Sequence, residues 1–544
     1  MVDILFTFYN QKINMDTRMK FIFEIIGVLL LFFVFSNLIA KYYFHTSAIE
    51  LLFDRASSVV REEDSLHKQM REDLKTYEEI TKDLTTNNAE SRKASAVPVL
   101  VYHGVTRNAE KIEDPTEEIS LDNFTQQMIS LKKEGYSTIT LKEFEDFINE
   151  KISLPEKSIL LTFDDGIKTS YYNADPILQA LGFNAVMYVI TSHSTTNEKS
   201  PYYLERDEVI EMYSTGRWDI QSHGRNDHNF IKINKEGKKG HFMTNKMWLE
   251  SQGRLENDVE YRERIIQDLY SSKQDIESLL KNNVTSYAFP FGDYGSEESA
   301  GTILELTASV YNKYMIQFKT DKRTGYFRSN FNINPEKKLV RRIKSSEKVE
   351  LDEFVNIMKA SQEKVLPFES DFNVEGSENW VSSNGNLDYS ISKGLLTLNA
   401  SSKSASLTIF LDGSYLWKDY TVTADTKLVN GKNFSVISRA IDGNNMVVCT
   451  YNADGVTLDQ RKSGKRIVLS KTGRNYFLTL LDGARVGMRV KGNSIQCLYN
   501  ENVITGATTI GSIASGGIGF GVYSGTQNEA KVEISDVKVY YEDR

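Results

Sequence analysis

At 544 residues the chain is too long for one domain, and two or three domains are expected. A net charge of −9 and a sequence pI near 5.6 argue against nucleic-acid binding, which requires a basic face. The chain has only two cysteines, Cys449 and Cys497, which excludes a zinc ribbon and a dense disulfide framework.

The N-terminal region predicts a membrane anchor. Residues 21–40 read FIFEIIGVLLLFFVFSNLIA, about the ~20 residues that cross a hydrocarbon core. Arg18 and Lys20 precede this run, which favours a cytoplasmic segment 1–20. We therefore expect a single-pass membrane protein whose later domains are extracellular. A cleaved export signal is the alternative.

Residues 41–95 predict a helical stalk. The stretch 47–92 contains no Gly or Pro, and its apolar residues recur mostly at three- and four-residue steps, as in one long amphipathic helix. This helix could lift the following domain off the membrane, or form a coiled coil that makes a homodimer or binds a partner. Too few regular heptads are present to decide between them.

Residues 96–366 alternate between strand-like and helix-like segments. The pattern predicts helices at 121–135 and 261–280, and strands at 136–141, 158–163 and 218–223, among others. A polar excursion that contains Trp248 interrupts the alternation. The region is therefore predicted to be an α/β domain with a parallel sheet or barrel.

Residues 367–544 have a different sequence pattern, without long helix-like segments. Short alternating segments are separated by Asn, Asp, Gly and Ser, a spacing typical of an antiparallel β-sandwich. Cys449 and Cys497 both lie in strand-like segments, so either a disulfide or two buried thiols is compatible with the pattern.

Charged and imidazole side chains stand where predicted strands end. Asp164 and Asp165 close an apolar run, and His223 and His228 follow another strand; His103 ends a third. In an α/β barrel the carboxyl ends of all strands open onto one face, so these residues can converge there.

The converging residues suit hydrolysis of an amide or ester. Asp165, His223 and His228 form a mixed O/N ligand set for a divalent ion, with zinc expected first and cobalt, nickel or iron as alternatives. Asp164 could act as general base, and His103 could protonate the leaving amine.

The segment after a later strand is the predicted acyl pocket. Pro290 and Phe291 could line that pocket, and a backbone N–H near Phe291 could bind the oxyanion. Tyr202, Tyr203 and Trp248 are candidates for stacking on sugar rings. His193 and His241 are expected to be ordinary surface residues.

Three motifs carry a family resemblance. Thr162-Phe-Asp-Asp-Gly166, Ser222-His-x₄-His228 and Ala288-Phe-Pro-Phe-Gly292 resemble the main motifs of the polysaccharide deacetylase family, carbohydrate esterase family 4. The opening Pro98-Val-Leu-Val-Tyr-His-Gly104 and the histidine spacing resemble the poly-N-acetylglucosamine deacetylases of biofilm systems.

This resemblance covers about residues 97–360 and implies a distorted (β/α)7-type barrel. It also implies that Asp164 is the base, that Asp165, His223 and His228 bind the metal, and that the products are acetate and a polymer with free amines.

Two features depart from the family pattern. Many members carry the acid histidine in a late Leu-x-His motif, but here the corresponding stretch is Leu339-Val-Arg-Arg-Ile343, and no histidine follows His241. The arginine often found just ahead of the third motif also has no clear counterpart.

The C-terminal region resembles concanavalin-like jelly-roll modules, on Glu378-Asn-Trp380 and Gly517-Ile-Gly-Phe-Gly521 in particular. That resemblance implies a lectin-like carbohydrate-binding module at 367–544.

We therefore expect a membrane-anchored, metal-dependent N-deacetylase that acts on an acetylated polysaccharide, an N-acetylhexosamine exopolysaccharide of the biofilm type. Peptidoglycan or another cell-wall glycan is the alternative substrate, and cleavage of O-acetyl esters is a third. A non-catalytic glycan-binding scaffold is the alternative from a different class of protein.

Overall fold

The computed structural model of the chain describes residues 48–84, 92–197, 199–295, 299–317, 330–331, 338–373, 380–383, 389–402, 405–473, 477–511, 513–527 and 529–542. The first element is helix α1 (Ala48–Thr81), which accounts for most of the helix predicted over 47–92. The predicted anchor at 21–40 lies outside the described residues. Among the helices that are described, none is both long and apolar enough to cross a bilayer.

The α/β domain contains short and long strands. In chain order these are β1 (Ala96–Val97), β2 (Val99–Tyr102), β3 (Val105–Thr106), β4 (Ile119–Ser120), β5 (Ser137–Thr138), β6 (Ser158–Phe163), β7 (Ala185–Val189), β8 (Trp218–Ser222), β9 (Phe230–Lys232), β10 (Lys239–His241), β11 (Trp248–Leu249), β12 (Arg254–Leu255), β13 (Ser286–Ala288), β14 (Lys313–Gln317), β15 (Asn330–Phe331) and β16 (Leu339–Lys344).

The helices of this domain follow the strands. They are α2 (Leu121–Lys133), α3 (Leu141–Ile148), α4 (Lys168–Leu181), α5 (Thr191–Ser194), α6 (Arg206–Ser214), α7 (Asp258–Leu280), α8 (Ala300–Val310) and α9 (Leu351–Ala360).

Seven parallel strands close into a barrel. Their order around the ring is β2-β16-β14-β13-β8-β7-β6, and β6 pairs back onto β2 from Val99↔Leu160 to Tyr102↔Phe163. β5 adds to the start of β6. The ring has no free edge, and all six residues of β6 are buried, which explains the unbroken apolar run before Asp164. The predicted (β/α)7-type barrel is confirmed.

Local capping explains one difference from the prediction. A strand was expected over 136–141, but β5 comprises only Ser137 and Thr138. Thr140 caps α3 in a capping box with Glu143, which takes the Thr140 backbone N–H away from any ladder. Only Ile139 and Thr140 therefore separate the end of β5 from the start of α3 at Leu141.

The polar excursion between β8 and α7 forms two small hairpins, β9–β10 and β11–β12. Arg264 of α7 holds it by donating to the Phe242 carbonyl at 2.8 Å, to the Asn245 carbonyl at 2.9 Å and to the Glu256 carboxylate at 2.7 and 2.9 Å. The excursion is thus fastened to the barrel and lies next to its carboxyl-end face.

The C-terminal domain is an antiparallel β-sandwich. Its elements are β17 (Phe368–Ser370), β18 (Trp380–Ser382), β19 (Tyr389–Ser392), β20 (Leu395–Ala400), β21 (Ser406–Leu411), β22 (Tyr420–Asn430), β23 (Asn433–Asp442), β24 (Asn445–Asn452), β25 (Gly455–Lys462), β26 (Lys465–Thr472), α10 (Phe477–Asp482), β27 (Ala484–Lys491), β28 (Ser494–Tyr499), β29 (Asn502–Thr508), β30 (Gly517–Tyr523) and β31 (Ala530–Tyr541).

The two sheets run β19-β20-β31-β22-β27-β28-β29 and β18-β21-β30-β23-β24-β25-β26. Alternate residues of both sheets fill one apolar core that includes Trp380 and Trp417. A disulfide between Cys449 and Cys497 joins β24 of one sheet to β28 of the other. The sequence was compatible with either a disulfide or two buried thiols, and the structure has the disulfide.

Candidate active site

The predicted site residues meet at the carboxyl ends of the barrel strands. Asp164 and Asp165 directly follow β6, and His223 directly follows β8. His103 follows β2, and Pro290 comes two residues after β13. These strands are parallel members of one closed ring, so their ends open onto the same face.

Asp165, His223 and His228 form a compact cluster. Asp165 Oδ1 lies 3.2 Å from His223 Nε2 and 3.4 Å from His228 Nε2. One ligand atom from each of the three residues lies within 4.8 Å of the others. Asp165 adopts φ +69°, a left-handed conformation that turns its carboxylate away from the direction of Asp164. The two adjacent aspartates can therefore have separate roles.

The chemistry of the cluster fits a divalent cation. His223 Nδ1 lies 2.9 Å from the Ala288 carbonyl oxygen, which can only accept, so Nδ1 carries a proton and the neutral form of the ring has its lone pair at Nε2. That lone pair faces Asp165 Oδ1, a buried atom that accepts no regular hydrogen bond from the described residues. Two electron-rich atoms that face each other in a buried site call for a cation.

Electrostatics support the same conclusion. Burial would raise the pKa of Asp165, but the two imidazoles hold it well below its usual range. Burial lowers the pKa of His223, yet Asp164 and Asp165 outweigh this effect and raise it overall. The site therefore attracts positive charge, as a metal-binding cluster of mixed oxygen and nitrogen ligands does.

Asp164 is held by an arginine that the sequence analysis missed. Arg342 of β16 donates from Nη1 to Asp164 Oδ1 and from Nη2 to Oδ2, both at 2.6 Å, and also from Nη1 to Thr162 Oγ1 at 3.2 Å. The Arg342 side chain is 0% exposed and that of Asp164 is 2% exposed. Burial would raise the pKa of Asp164, but Arg342 lowers it overall, so this carboxyl is ionised at neutral pH.

His103 is a second basic group next to Asp164. Its Nε2 is 3.9 Å from Asp164 Oδ2, and its Nδ1 is 3.5 Å from Glu117 Oε2. Glu117 in turn binds Lys344 Nζ at 2.7 Å. The ring is largely buried, and Ser170 fixes the local backbone by donating to the His103 carbonyl at 2.6 Å. This position is compatible with proton transfer beside Asp164, and the acid role stays a prediction.

Pro290 and Phe291 form a tight turn next to the cluster. Phe291 has φ +59°, and the turn is closed by the Asp293 N–H donating to the Pro290 carbonyl at 3.0 Å. The Phe291 ring lies 4.5 Å from the His228 ring and 4.4 Å from the His241 ring, measured between centroids. Phe291 thus contacts His228, a predicted metal ligand, which is the position expected of a residue that lines the acyl pocket.

His193 and His241 are not the isolated surface residues that we expected. His241 Nδ1 lies 2.6 Å from Asp293 Oδ2, and its side chain is only 32% exposed. His193 stacks on Tyr203 with ring centroids 4.3 Å apart. Both pairs depend on contacts between separate segments, and no local pattern signals them. For Arg342 a signal existed, because a charge inside a buried strand needs a partner.

Comparisons with known proteins find a matching family and similar enzymes. Residues 151–303 match the family model "Polysaccharide deacetylase". The poly-beta-1,6-N-acetyl-D-glucosamine N-deacetylase of Staphylococcus aureus (strain MRSA252) is 30% identical over 175 residues, which are 32% of this chain and 53% of that protein. The protein of the same name from Staphylococcus epidermidis is 31% identical over 170 residues, 31% of this chain and 52% of that protein.

The chain therefore spans about half the length of the curated relatives that it matches. Among solved structures, the de-N-acetylase from Aggregatibacter actinomycetemcomitans aligns with a TM-score of 0.42 at 24% identity, over 48% of this chain and 99% of that chain.

Fold and site together define an α/β-barrel protein with a carboxylate–imidazole cluster at the carboxyl ends of its strands. Within that class, residues 151–303 of the barrel match the polysaccharide deacetylase family. The resemblance predicted from the three motifs is confirmed.

Proposed function

We propose that this protein is a metal-dependent N-deacetylase that removes acetyl groups from the N-acetylhexosamine residues of an exopolysaccharide. The observation that carries the proposal is the pairing of two adjacent aspartates with different partners. Asp165 joins His223 and His228 in the cation-attracting cluster, whereas Asp164 is held ionised by Arg342. The staphylococcal relatives are named for this reaction on poly-N-acetylglucosamine.

A divalent ion held by Asp165, His223 and His228 would polarise the acetyl carbonyl and lower the pKa of a water molecule. The ion is expected to be zinc, with cobalt, nickel or iron as alternatives. Asp164 is the ionised carboxylate that takes a proton from the attacking water. Arg342 occupies one direction at each carboxylate oxygen, and further lone pairs remain for this transfer.

The later half of the reaction needs a proton for the leaving amine. His103, 3.9 Å from Asp164, is the residue that we assign to deliver it when the C–N bond breaks. The Phe291 backbone N–H, at the tight turn beside His228, is the assigned donor to the oxyanion that develops on the acetyl carbonyl. The products are acetate and a polymer with a free amine.

The remaining regions would deliver the enzyme to its polymer. Residues 21–40 would anchor the chain in the cell membrane, with the barrel and the sandwich outside the cytoplasm and α1 in the stalk. The disulfide between Cys449 and Cys497 supports an oxidising compartment. The sandwich at 367–544 would act as a lectin-like module that binds glycan.

The test uses the full chain against a panel of acetylated glycans, namely poly-β-1,6-N-acetylglucosamine, peptidoglycan strands and an O-acetylated polymer, with and without chelator. Acetate and free amines should appear from the first substrate, vanish with chelator and return with zinc. The Asp164→Asn variant should be inactive, whereas Arg262→Met, at an exposed ion pair with Glu305, should match the wild type. Binding of glycan without acetate release would instead support a scaffold, and release from peptidoglycan alone would refute the substrate class.

A further inference from the structure

We infer that Phe230, His241 and Phe291, together the aromatic shelf, form a binding subsite for the sugar residue next to the one being deacetylated. The inference rests on the proposed function and adds a substrate-binding surface to it. It concerns side chains of the β9–β10 hairpin and of the turn after β13, to which the proposed mechanism assigns no chemical step.

The three rings of the aromatic shelf pack together in one contiguous group, with Phe230 at its exposed end. His241 stacks on Phe291 with an interplanar angle of 13°, and Phe230 lies 5.2 Å from His241 and 5.5 Å from Phe291 between centroids. Phe291 also contacts His228, so the shelf continues directly into the metal-binding cluster. Phe230 is 55% exposed. A single exposed phenylalanine is unremarkable, but linked rings beside a reaction centre indicate a surface that a ligand covers.

The aromatic shelf is held rigid by Asp293. Its Oδ2 binds His241 Nδ1 at 2.6 Å and accepts from Thr244 Oγ1 at 2.9 Å, while its Oδ1 accepts from the Gly295 N–H at 3.0 Å. These contacts fasten the excursion to the turn that carries Phe291. A surface fixed in advance loses little conformational freedom on binding, which favours a ligand-binding role.

A second aromatic group lies beside the loop that follows Asp165. The segment with Tyr202 and Tyr203 runs along the loop after Asp165, where the Lys168 N–H donates to the Tyr202 carbonyl and the Leu204 N–H to the Gly166 carbonyl, both at 2.8 Å. The Tyr202 and Tyr203 rings contact each other edge to face, with centroids 4.8 Å apart. Tyr202 is 51% exposed. One exposed ring, Tyr202, thus belongs to a segment bonded to the loop after Asp165, and another, Phe230, belongs to the ring group that contacts His228 through Phe291.

This arrangement fits a polymer that crosses the site. One face of a hexosamine ring presents C–H groups that pack on aromatic rings, while its hydroxyls remain in water. With the reacting sugar over the cluster, its neighbours would lie on the aromatic shelf and on Tyr202. The preferred ligand is thus an internal stretch of at least three N-acetylhexosamine residues, rather than a single sugar.

The test measures kcat and KM on N-acetylhexosamine oligomers of one to five sugars. Phe230→Ala should lower kcat/KM on the pentamer by about five- to tenfold, mainly through KM, with a much smaller loss on the monomer. Phe230→Trp keeps a ring at this position and should restore the pentamer value. Leu255→Ala, at an exposed residue of the same excursion, should behave like the wild type.

The inference would be overturned if Phe230→Ala lowered kcat/KM equally on oligomers of every length, or if it left kcat/KM on the pentamer unchanged. A separate measurement keeps it distinct from the proposed function. In chains that also carry Asp164→Asn, calorimetry with the pentamer should show weaker binding for Phe230→Ala and none of that weakening for Leu255→Ala. If the wild type releases no acetate from any oligomer, the proposed function fails while this binding result still tests the aromatic shelf.

Discussion

Replacement of Arg342 by methionine tests the assignment of the general base most directly. Arg342 and Asp164 form two hydrogen bonds of 2.6 Å, and both side chains are almost completely buried. Methionine keeps much of the volume of the arginine side chain but removes its positive charge and both hydrogen bonds to Asp164. The carboxyl of Asp164 is then left buried without its main counter-charge.

The size of the effect follows from that burial. Breaking one partner of a buried ion pair costs about 3–5 kcal/mol of folding free energy, unless the remaining group takes up a proton. Because Arg342 lowers the pKa of Asp164 against the effect of burial, its loss raises that pKa. A protonated Asp164 cannot accept a proton from water, so kcat/KM at neutral pH should fall by about 10²–10⁴-fold.

The assay combines acetate release as a function of pH with urea unfolding. In Arg342→Met the acidic limb of the kcat/KM profile should move to higher pH, and part of the activity should return at alkaline pH. Arg342→Lys keeps the charge without the two-pronged geometry and should give an intermediate loss. If Arg342→Met unfolds at the wild-type urea concentration and keeps kcat/KM within about threefold, the assignment of Asp164 as the arginine-held base is wrong.

Three further predictions address the metal cluster, the disulfide and a buried acid. His228→Gln should weaken zinc binding to the metal-free protein by more than about tenfold in calorimetry, because one of three ligands is lost, and an unchanged affinity would argue against the cluster. Replacing Cys449 and Cys497 by serine should lower the free energy of unfolding by about 4 kcal/mol, since the bridge closes a separation of 48 residues; an unaltered urea midpoint would contradict this. Burial raises the pKa of Asp219 to about 6. The folded state therefore holds this proton more tightly than the unfolded chain, and stability falls as pH rises from about 4 to 6. Asp219→Asn should remove that fall and add about 1–2 kcal/mol at pH 7, and a variant that retains the fall would show that another group titrates.

Much of the site was visible in the sequence because its residues lie at the ends of buried strands. The apolar run 158–163 predicts a strand that both faces of the barrel bury, so the next residues must emerge at its end. Asp164, Asp165 and His223 could be assigned to one face on that basis alone. The alternating pattern of residues 367–544 likewise predicted a sandwich, because a sheet with one buried face repeats every second residue.

The partners of these residues could not be predicted in the same way. Arg342 is 178 residues from Asp164, and it reaches the carboxylate because β16 and β6 both pair with β2 in the closed ring. His241 of β10 meets Asp293 of the turn after β13, and His193 of α5 meets Tyr203 of a separate segment. Strand periodicity shows which side chains point inward, but not which strands become neighbours.

The amino-acid sequence by itself determined the strand ends, the two aspartates, the histidine pair and the resemblance to polysaccharide deacetylases. Only the tertiary structure decided that Arg342 holds Asp164, that Asp293 fixes the aromatic shelf and that the two cysteines are bonded. Local side-chain patterns report burial and chain direction, whereas these pairings depend on how the barrel closes and on how the loops fold over its end.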